Sequence, residues 1–290
     1  MAKPNPLKAI DPEIRQGVQA IANANNTTII SFVAPQGVRT SPVTFTSASI
    51  EDSELYPLEE VVKKAAEKNA TSCLHFIIHT PGGELYAAYK IATFLRSKFT
   101  KICAFVPYEA ASGGTVLCCA ADELYIGDLG NLTFIDPQIR YKDQRISSYT
   151  VVRAVHSLEQ QYGEMSPDEI PSPWQQMAEK LDPIIYDEMN TVNFTAMVSA
   201  SRLLQKSGYT AGEAWEISSS SLARNFYTHE FPLFAKDAEA MGFRVKTDNA
   251  IISVYARLVS SRLQEKSPRH AIDFFFPEPE TNLEASMRTT

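Results

Sequence analysis

With 290 residues, 44% of them hydrophobic and 21% charged, the chain can bury a full core, which excludes disorder as its default state. Lys plus Arg total 27 against 34 for Asp plus Glu, a formal charge of -7. The electrostatic footprint of a nucleic-acid or anionic-membrane binder is therefore missing, and no nucleic-acid partner is expected.

Residues 1–12 read as a loose, proline-bearing arm without an apolar signal core. The spacing of Ile14, Val18 and Ile21 predicts a helix over Glu13 to Ala24. Thr27 to Val33 is β-branched and apolar, a buried strand closed by Pro35-Gln36-Gly37, and Ser41 to Ile50 is a second strand or extended edge. Leu58, Val61, Val62 and Ala65 mark an amphipathic helix over Pro57 to Lys68. A strand (Cys73 to His79), a helix (Leu85 to Phe99) and a strand (Lys101 to Val106) follow, and this alternation predicts an α/β fold with a largely parallel sheet.

Thr115 to Ala121 reads as a small-residue helix, with short strands at Glu123 to Ile126 and Leu132 to Ile135. Val151, Val155, Leu158 and Tyr162 predict a helix, with His156 bordering its core stripe; Met165 to Pro173 is then expected to be a loop or lid. Trp174 to Lys206 is helical with a break at Asp182-Pro183, where Asp182 can cap a fresh start. Further helices fall over Thr210 to Ile217, Ala235 to Met241 and Asn249 to Leu263, and the tail from Phe274 begins sticky and ends polar, free to dock on a neighbour or fray. Cys73, Cys103, Cys118 and Cys119 lie in apolar runs with no Cys-x-x-Cys spacing, as buried thiols of a reducing compartment do. No stretch approaches the roughly 18 apolar residues of a membrane span, so a cytoplasmic protein is expected.

Two turns carry chemistry. Thr80-Pro81-Gly82-Gly83 and Ala111-Ser112-Gly113-Gly114-Thr115 each follow a strand and open a helix, so parallel packing would bring them side by side. Taken alone, Ser112 reads as an ordinary helix cap. Taken with the upstream turn, it supplies a nucleophile, while the amides of Gly82 or Gly83 and of Gly113 supply donors for an oxyanion; removing one such donor costs about 3 kcal/mol. His75 and His79 share a strand face about 13 Å apart, too far to chelate one ion, and neither a metal nor another cofactor is expected.

His79-Thr80-Pro81-Gly82-Gly83, Ala111-Ser112-Gly113-Gly114-Thr115, Ala120-Ala121-Asp122-Glu123 and Ile135-Asp136-Pro137-Gln138 occur in this order. Thr228-His229-Glu230-Phe231-Pro232-Leu233 and Ala238-Glu239-Ala240-Met241-Gly242 follow. Together they resemble the serine dehydrogenase proteinase family, relatives of signal peptide peptidase A within the Clp-protease/crotonase superfamily. The resemblance spans about Ile29 to Val245. It implies a spiral of ββα units with a helical C-terminal part, an ATP-independent peptidase with Ser112 as nucleophile, Gly82 and Gly113 as oxyanion donors, a polypeptide substrate and a homo-oligomer. Many family members are held to associate with membranes, for which this chain offers no span. The domain layout expected is an arm and helix over 1–26, a peptidase domain over 27–245 and a helix with tail over 246–290.

The general base stays open. Clp-type relatives place a histidine about two dozen residues after the serine, where this chain has Asp136-Pro137-Gln138. Signal-peptide-peptidase relatives use a lysine, which serves as base only where burial and positive potential hold it neutral. Lys180, in an Ala-Glu-Lys run resembling the family's, stands slightly ahead of Lys142; His229, oriented by Glu230 or Asp136, competes. Two other readings remain. A crotonase-like acyl-CoA enzyme would need a carboxylate base from Asp122, Glu123 or Asp136, and an inactive oligomeric scaffold would need none.

Overall fold

The computed structural model describes residues 9–35, 38–39, 45–46, 48–67, 72–141, 144–180, 182–220, 231–267 and 269–278. Lys142, the Thr228-His229-Glu230 stretch, the Gln36-Gly37 turn and the tail from 279 lie outside the described residues, as do the arm up to residue 8 and the first part of the Ser41 to Ile50 segment. The chain begins with α1 (Pro12–Ala24), β1 (Thr28–Val33), the two-residue strands β2 (Val38–Arg39) and β3 (Phe45–Thr46), a 3-10 turn (Asp52–Glu54) and α2 (Leu55–Glu67). Next come β4 (Cys73–His79), α3 (Leu85–Lys98), β5 (Lys101–Val106), β6 (Glu109–Ala110), α4 (Gly113–Cys118), β7 (Glu123–Ile126) and β8 (Asn131–Leu132). A hairpin of β9 (Gln138–Tyr141) and β10 (Gln144–Ser147) leads to α5 (Ser148–Tyr162), a 3-10 turn (Pro167–Glu169), α6 (Ser172–Ala178) and α7 (Pro183–Lys206). α8 (Ala211–Ser220), α9 (Ala235–Ala240), β11 (Val245–Lys246), α10 (Asn249–Leu263) and β12 (Ala271–Phe275) complete it.

The expected α/β fold is present. The central sheet runs β11-β7-β5-β4-β1-β12, parallel throughout except for β12, which pairs antiparallel with β1. Its inner strands are near-continuous apolar runs because both faces are covered. Ile30, Phe32, Leu74, Phe76, Ile102 and Ala104 face one core, shared with α2, α3, α7 and α8; Ile29, Val33, Ile77, Cys103 and Phe105 face a second, closed by α1 and α10. Asp182 caps α7 by accepting from Ile184 N (2.9 Å), so Pro183 opens the helix as expected, and Asp11 caps α1 by accepting from Glu13 N (2.9 Å), so Pro12 opens that helix instead of ending the arm.

The structure departs from the sequence reading in four places. Phe274 and Phe275 do not reach for a neighbour: they lie in β12, on the exposed edge that β1 would otherwise present. The Met165 to Pro173 segment holds a 3-10 turn and the start of α6, whose first turn accepts Pro173 without losing a hydrogen bond. The strand expected over Leu132 to Ile135 ends at Leu132, after which Thr133 turns its hydroxyl to the Ser112 loop. His156 is exposed and pairs with Glu159 (3.4 Å) instead of touching the core. Cys103, Cys118 and Cys119 are buried as expected and Cys73 is partly so.

Candidate active site

Parallel strands deliver their following loops to one edge. The β4 ladder continues past His79 as Thr80, whose N–H donates to Glu109 O (3.0 Å) and whose carbonyl accepts from Ala111 N (2.9 Å). This bridge to β6 lays the turn after β4 directly beside Ser112. A Cβ on Gly82 would stand 2.7 Å from Ala111 O and 3.0 Å from Ser112 Cβ, and one on Gly83 would meet Ile50 N at 2.3 Å; both glycines also hold positive φ (99° and 155°). No side chain fits either position, which is why both are glycine.

Ser112 sits at the N-cap of α4 with φ 48° and ψ -103°, and its side chain makes no capping hydrogen bond. Among the described residues, the only other non-glycine with positive φ is Asn26, in the turn after α1. A left-handed serine costs about 1–3 kcal/mol and persists only where its surroundings enforce it. The enforcement is visible. Ser112 N–H donates to Thr133 Oγ1 (2.9 Å), Gly114 N–H to Ala111 O (2.7 Å), and the Thr115 hydroxyl lies against the carbonyls of Thr133 (2.6 Å) and Ala110 (3.0 Å). The turn leaves Ser112 uncapped and partly exposed at a sharp strand-to-helix turn.

The amides differ. Gly82 N–H donates to Thr80 Oγ1 (3.1 Å), whereas among the described residues no acceptor lies on the N–H of Gly83 or Gly113. A Cβ on Gly113 would stand 3.2 Å from Gly83 N, so these two free donors are neighbours.

A family model for ClpP-like SDH-type serine proteinases matches residues 12–288. The chain belongs to this serine proteinase family. It is also similar to two curated proteins of Methanocaldococcus jannaschii. The uncharacterized protein MJ0137 is 26% identical over 234 residues, 80% of this chain and 72% of that protein. The uncharacterized protein MJ1495 is 26% identical over 200 residues, 69% of this chain and 59% of that protein. Among solved structures, a serine-to-alanine variant of the 1510-N membrane-bound stomatin-specific protease is 15% identical, with a TM-score of 0.44 over 72% of this chain and 80% of that one. A lysine-to-alanine variant of that protease in complex with a substrate peptide gives 15% and 0.43 over 70% and 72%. No described helix of this family member is long and apolar enough to cross a membrane.

The other sequence candidates fall in different places. Lys180 is exposed just after α6, its N–H donating to Met177 O (3.2 Å), and among the described residues nothing joins it to Ser112. Asp136 is buried and accepts from Ser147 Oγ (2.8 Å). Asp122, just before β7, and Glu123, its first residue, lie at the opposite edge of the sheet, where Asp122 takes both Arg96 guanidinium nitrogens (2.6 and 2.9 Å) and Glu123 pairs with Lys101 (3.3 Å). Neither carboxylate stands near Gly113, as a crotonase-type base would. An open cavity of about 450 Å³ lined by Lys101, Asp122, Phe243 and Arg244 also lies at that far edge. His75 Nδ1 meets Tyr255 Oη (2.8 Å) inside the α10 core, and burial foremost lowers its pKa to about 4; burial does the same for His79. Glu109, at the start of β6, is half-buried, and burial raises its carboxyl pKa.

Sequence reasoning missed Thr133 and His270. Thr133 carried one signal, a polar residue inside the apolar run Leu132 to Ile135; His270 carried none.

Proposed function

We propose that this chain is an ATP-independent serine peptidase in which Ser112 attacks a peptide carbonyl while the N–H groups of Gly83 and Gly113 stabilise the oxyanion. The observation that carries the reading is the left-handed Ser112, uncapped and partly exposed, beside two amides without acceptors among the described residues. Attack forms the Cα-side acyl ester on Oγ and passes the serine proton, through a base, to the leaving amine; water then takes the reverse route to release the acid. Free donors aimed at the developing charge act only when that charge appears, which is how they lower the barrier. Gly82 then shapes the loop, with its own N–H turned inward.

The base belongs to Lys142, Lys180 or His229. A lysine works as base only when buried, and Lys180 is exposed in the single chain, so it could serve only where assembly covers it; Lys142 and His229 stay as the alternatives. Residues 27–245 would hold the catalytic machinery, and assembly into a homo-oligomer would be the means by which an exposed segment such as α6 becomes covered. Hydrolysis of fluorescein-labelled casein tests the reading. Ser112→Ala should lose at least about a thousandfold in rate while keeping the fold; unchanged cleavage overturns it. Alanine at Lys142, Lys180 and His229 in turn should single out one base, and three fully active variants would dismiss all of them.

A further inference from the structure

Glu54, Thr80 and His270 lie far apart in sequence, in the 3-10 turn before α2, after β4 and before β12, yet they meet in one buried string. Thr80 Oγ1 is 2.9 Å from His270 Nε2, and His270 Nδ1 is 3.2 Å from Glu54 Oε1, which also receives the His270 backbone N–H (3.3 Å). Thr80 is fully buried, and the His270 and Glu54 side chains are 0% and 5% exposed. The imidazole stacks on Phe32 with centroids 3.9 Å apart and planes at 14°, which leaves it little rotational freedom.

The hydrogens can be placed by elimination. Gly82 N–H already donates to Thr80 Oγ1 (3.1 Å), so the threonine proton is free to go to His270 Nε2, which must then be unprotonated. Nδ1–H then donates a hydrogen bond to Glu54 Oε1. The opposite tautomer would face a ring lone pair against the carboxylate and leave the Thr80 proton without an acceptor. The Thr80 hydroxyl and both ring nitrogens of His270 are all paired only in the first arrangement.

We propose that Glu54, His270 and Thr80 form a positioning relay that holds the Gly82 amide inward and so aims the next amide, that of Gly83, toward the carbonyl attacked by Ser112. Thr80 and the His270 side chain have no exposure and the Glu54 side chain almost none, so none of the three touches substrate. Its hydroxyl grips Gly82 from behind, its backbone is tied to Glu109 and Ala111, and its Cγ2 fills the space where a Cβ on Gly114 would stand at 2.7 Å. One residue therefore spaces the turn after β4 from the start of α4. The catalytic consequence rests on the Ser112 reading above; the grip on Gly82 does not.

Thr80→Val keeps the shape and removes the hydroxyl, and Thr80→Ser restores it. In casein hydrolysis Thr80→Val should lower kcat about 30-fold with KM unchanged within about twofold, because a displaced donor fails mainly in the transition state, and Thr80→Ser should recover to within about threefold of wild type. Amide hydrogen exchange supplies a readout independent of turnover: Gly82 exchange should speed up at least tenfold (~10) in Thr80→Val and not in Thr80→Ser. If wild type neither cleaves casein nor reacts with a serine probe, the Ser112 reading fails and the exchange rates alone judge the relay. Wild-type kcat in an active Thr80→Val, or unaltered Gly82 exchange in that variant, overturns the relay.

Discussion

The two edges of the parallel sheet use their polar groups differently. At the amino-terminal edge, Asp122 holds Arg96 through two hydrogen bonds and also accepts from Ile102 N (2.7 Å), while Glu123 pairs with Lys101. Each charge there meets its partner locally. At the carboxyl-terminal edge, Ser112 Oγ makes no cap and, among the described residues, the amides of Gly83 and Gly113 have no acceptor, while the groups behind them, Thr80, Thr133 and His270, are paired. A cavity opens at the first edge, yet the proposed chemistry belongs to the second. What distinguishes a reactive edge is donors left without partners on a backbone that cannot relax toward them.

Substitutions at the two edges should therefore separate activity from stability. The largest effect is expected for Gly83→Ala, whose Cβ would overlap Ile50 N and O at 2.3 and 2.4 Å and would force a positive-φ alanine. Displacing that amide should cost a hundredfold or more (~100) in casein turnover, and about 1–3 kcal/mol of stability by urea titration. A fully active Gly83→Ala would erase the contrast.

Acid should act on the fold through the second core. His75 and His79 are held neutral to about pH 4, so below pH 6.5 the unfolded chain binds protons that the folded chain refuses. Their contribution is whole above pH 6.5 and is lost as pH falls toward 4, at most about 3 kcal/mol for each ring. Thermal melts between pH 7 and 4.5 should show this fall, and His75→Gln should flatten it; a melt independent of pH over this window would contradict the burial of both rings.

The smallest of the three effects belongs to the amino-terminal edge. Asp122→Asn should destabilise by about 2 kcal/mol, since Arg96 is left with a weakened partner in a partly buried site, and should leave casein turnover per folded molecule unchanged. A loss of turnover in this variant would mean that the two edges are coupled.

How much of this was legible in the sequence follows from how local each feature is. β4, β5 and α10 stand where their apolar runs or helical spacing predict, because a strand covered on both faces and an amphipathic helix each write their burial into consecutive residues. The paired glycine turns were legible for the same reason. β12 was not, since its pairing with β1 joins residues such as Ser31 and Asp273 (3.1 Å) from opposite ends of the chain, and Ala271 to Phe275 has no alternation to announce an edge strand. His270 was invisible on the same ground: its partners Glu54 and Thr80 are brought to it only by the finished sheet. The strain at Ser112 was equally unreadable, because a serine before two glycines is compatible with an ordinary cap, and the hydrogen bonds that hold it left-handed, such as the one from its amide to the Thr133 hydroxyl, reach across the chain. Lys180 failed to gather a burial shell because α6 buries none of its residues.

The central claim is that Ser112 is a nucleophile. A fluorophosphonate probe followed by peptide mass spectrometry tests it most directly. The account predicts one modified site, Ser112, with labelling abolished in Ser112→Ala and slowed in Gly83→Ala. Labelling elsewhere with Ser112 unmodified, or equal labelling of wild type and Ser112→Ala, would contradict it.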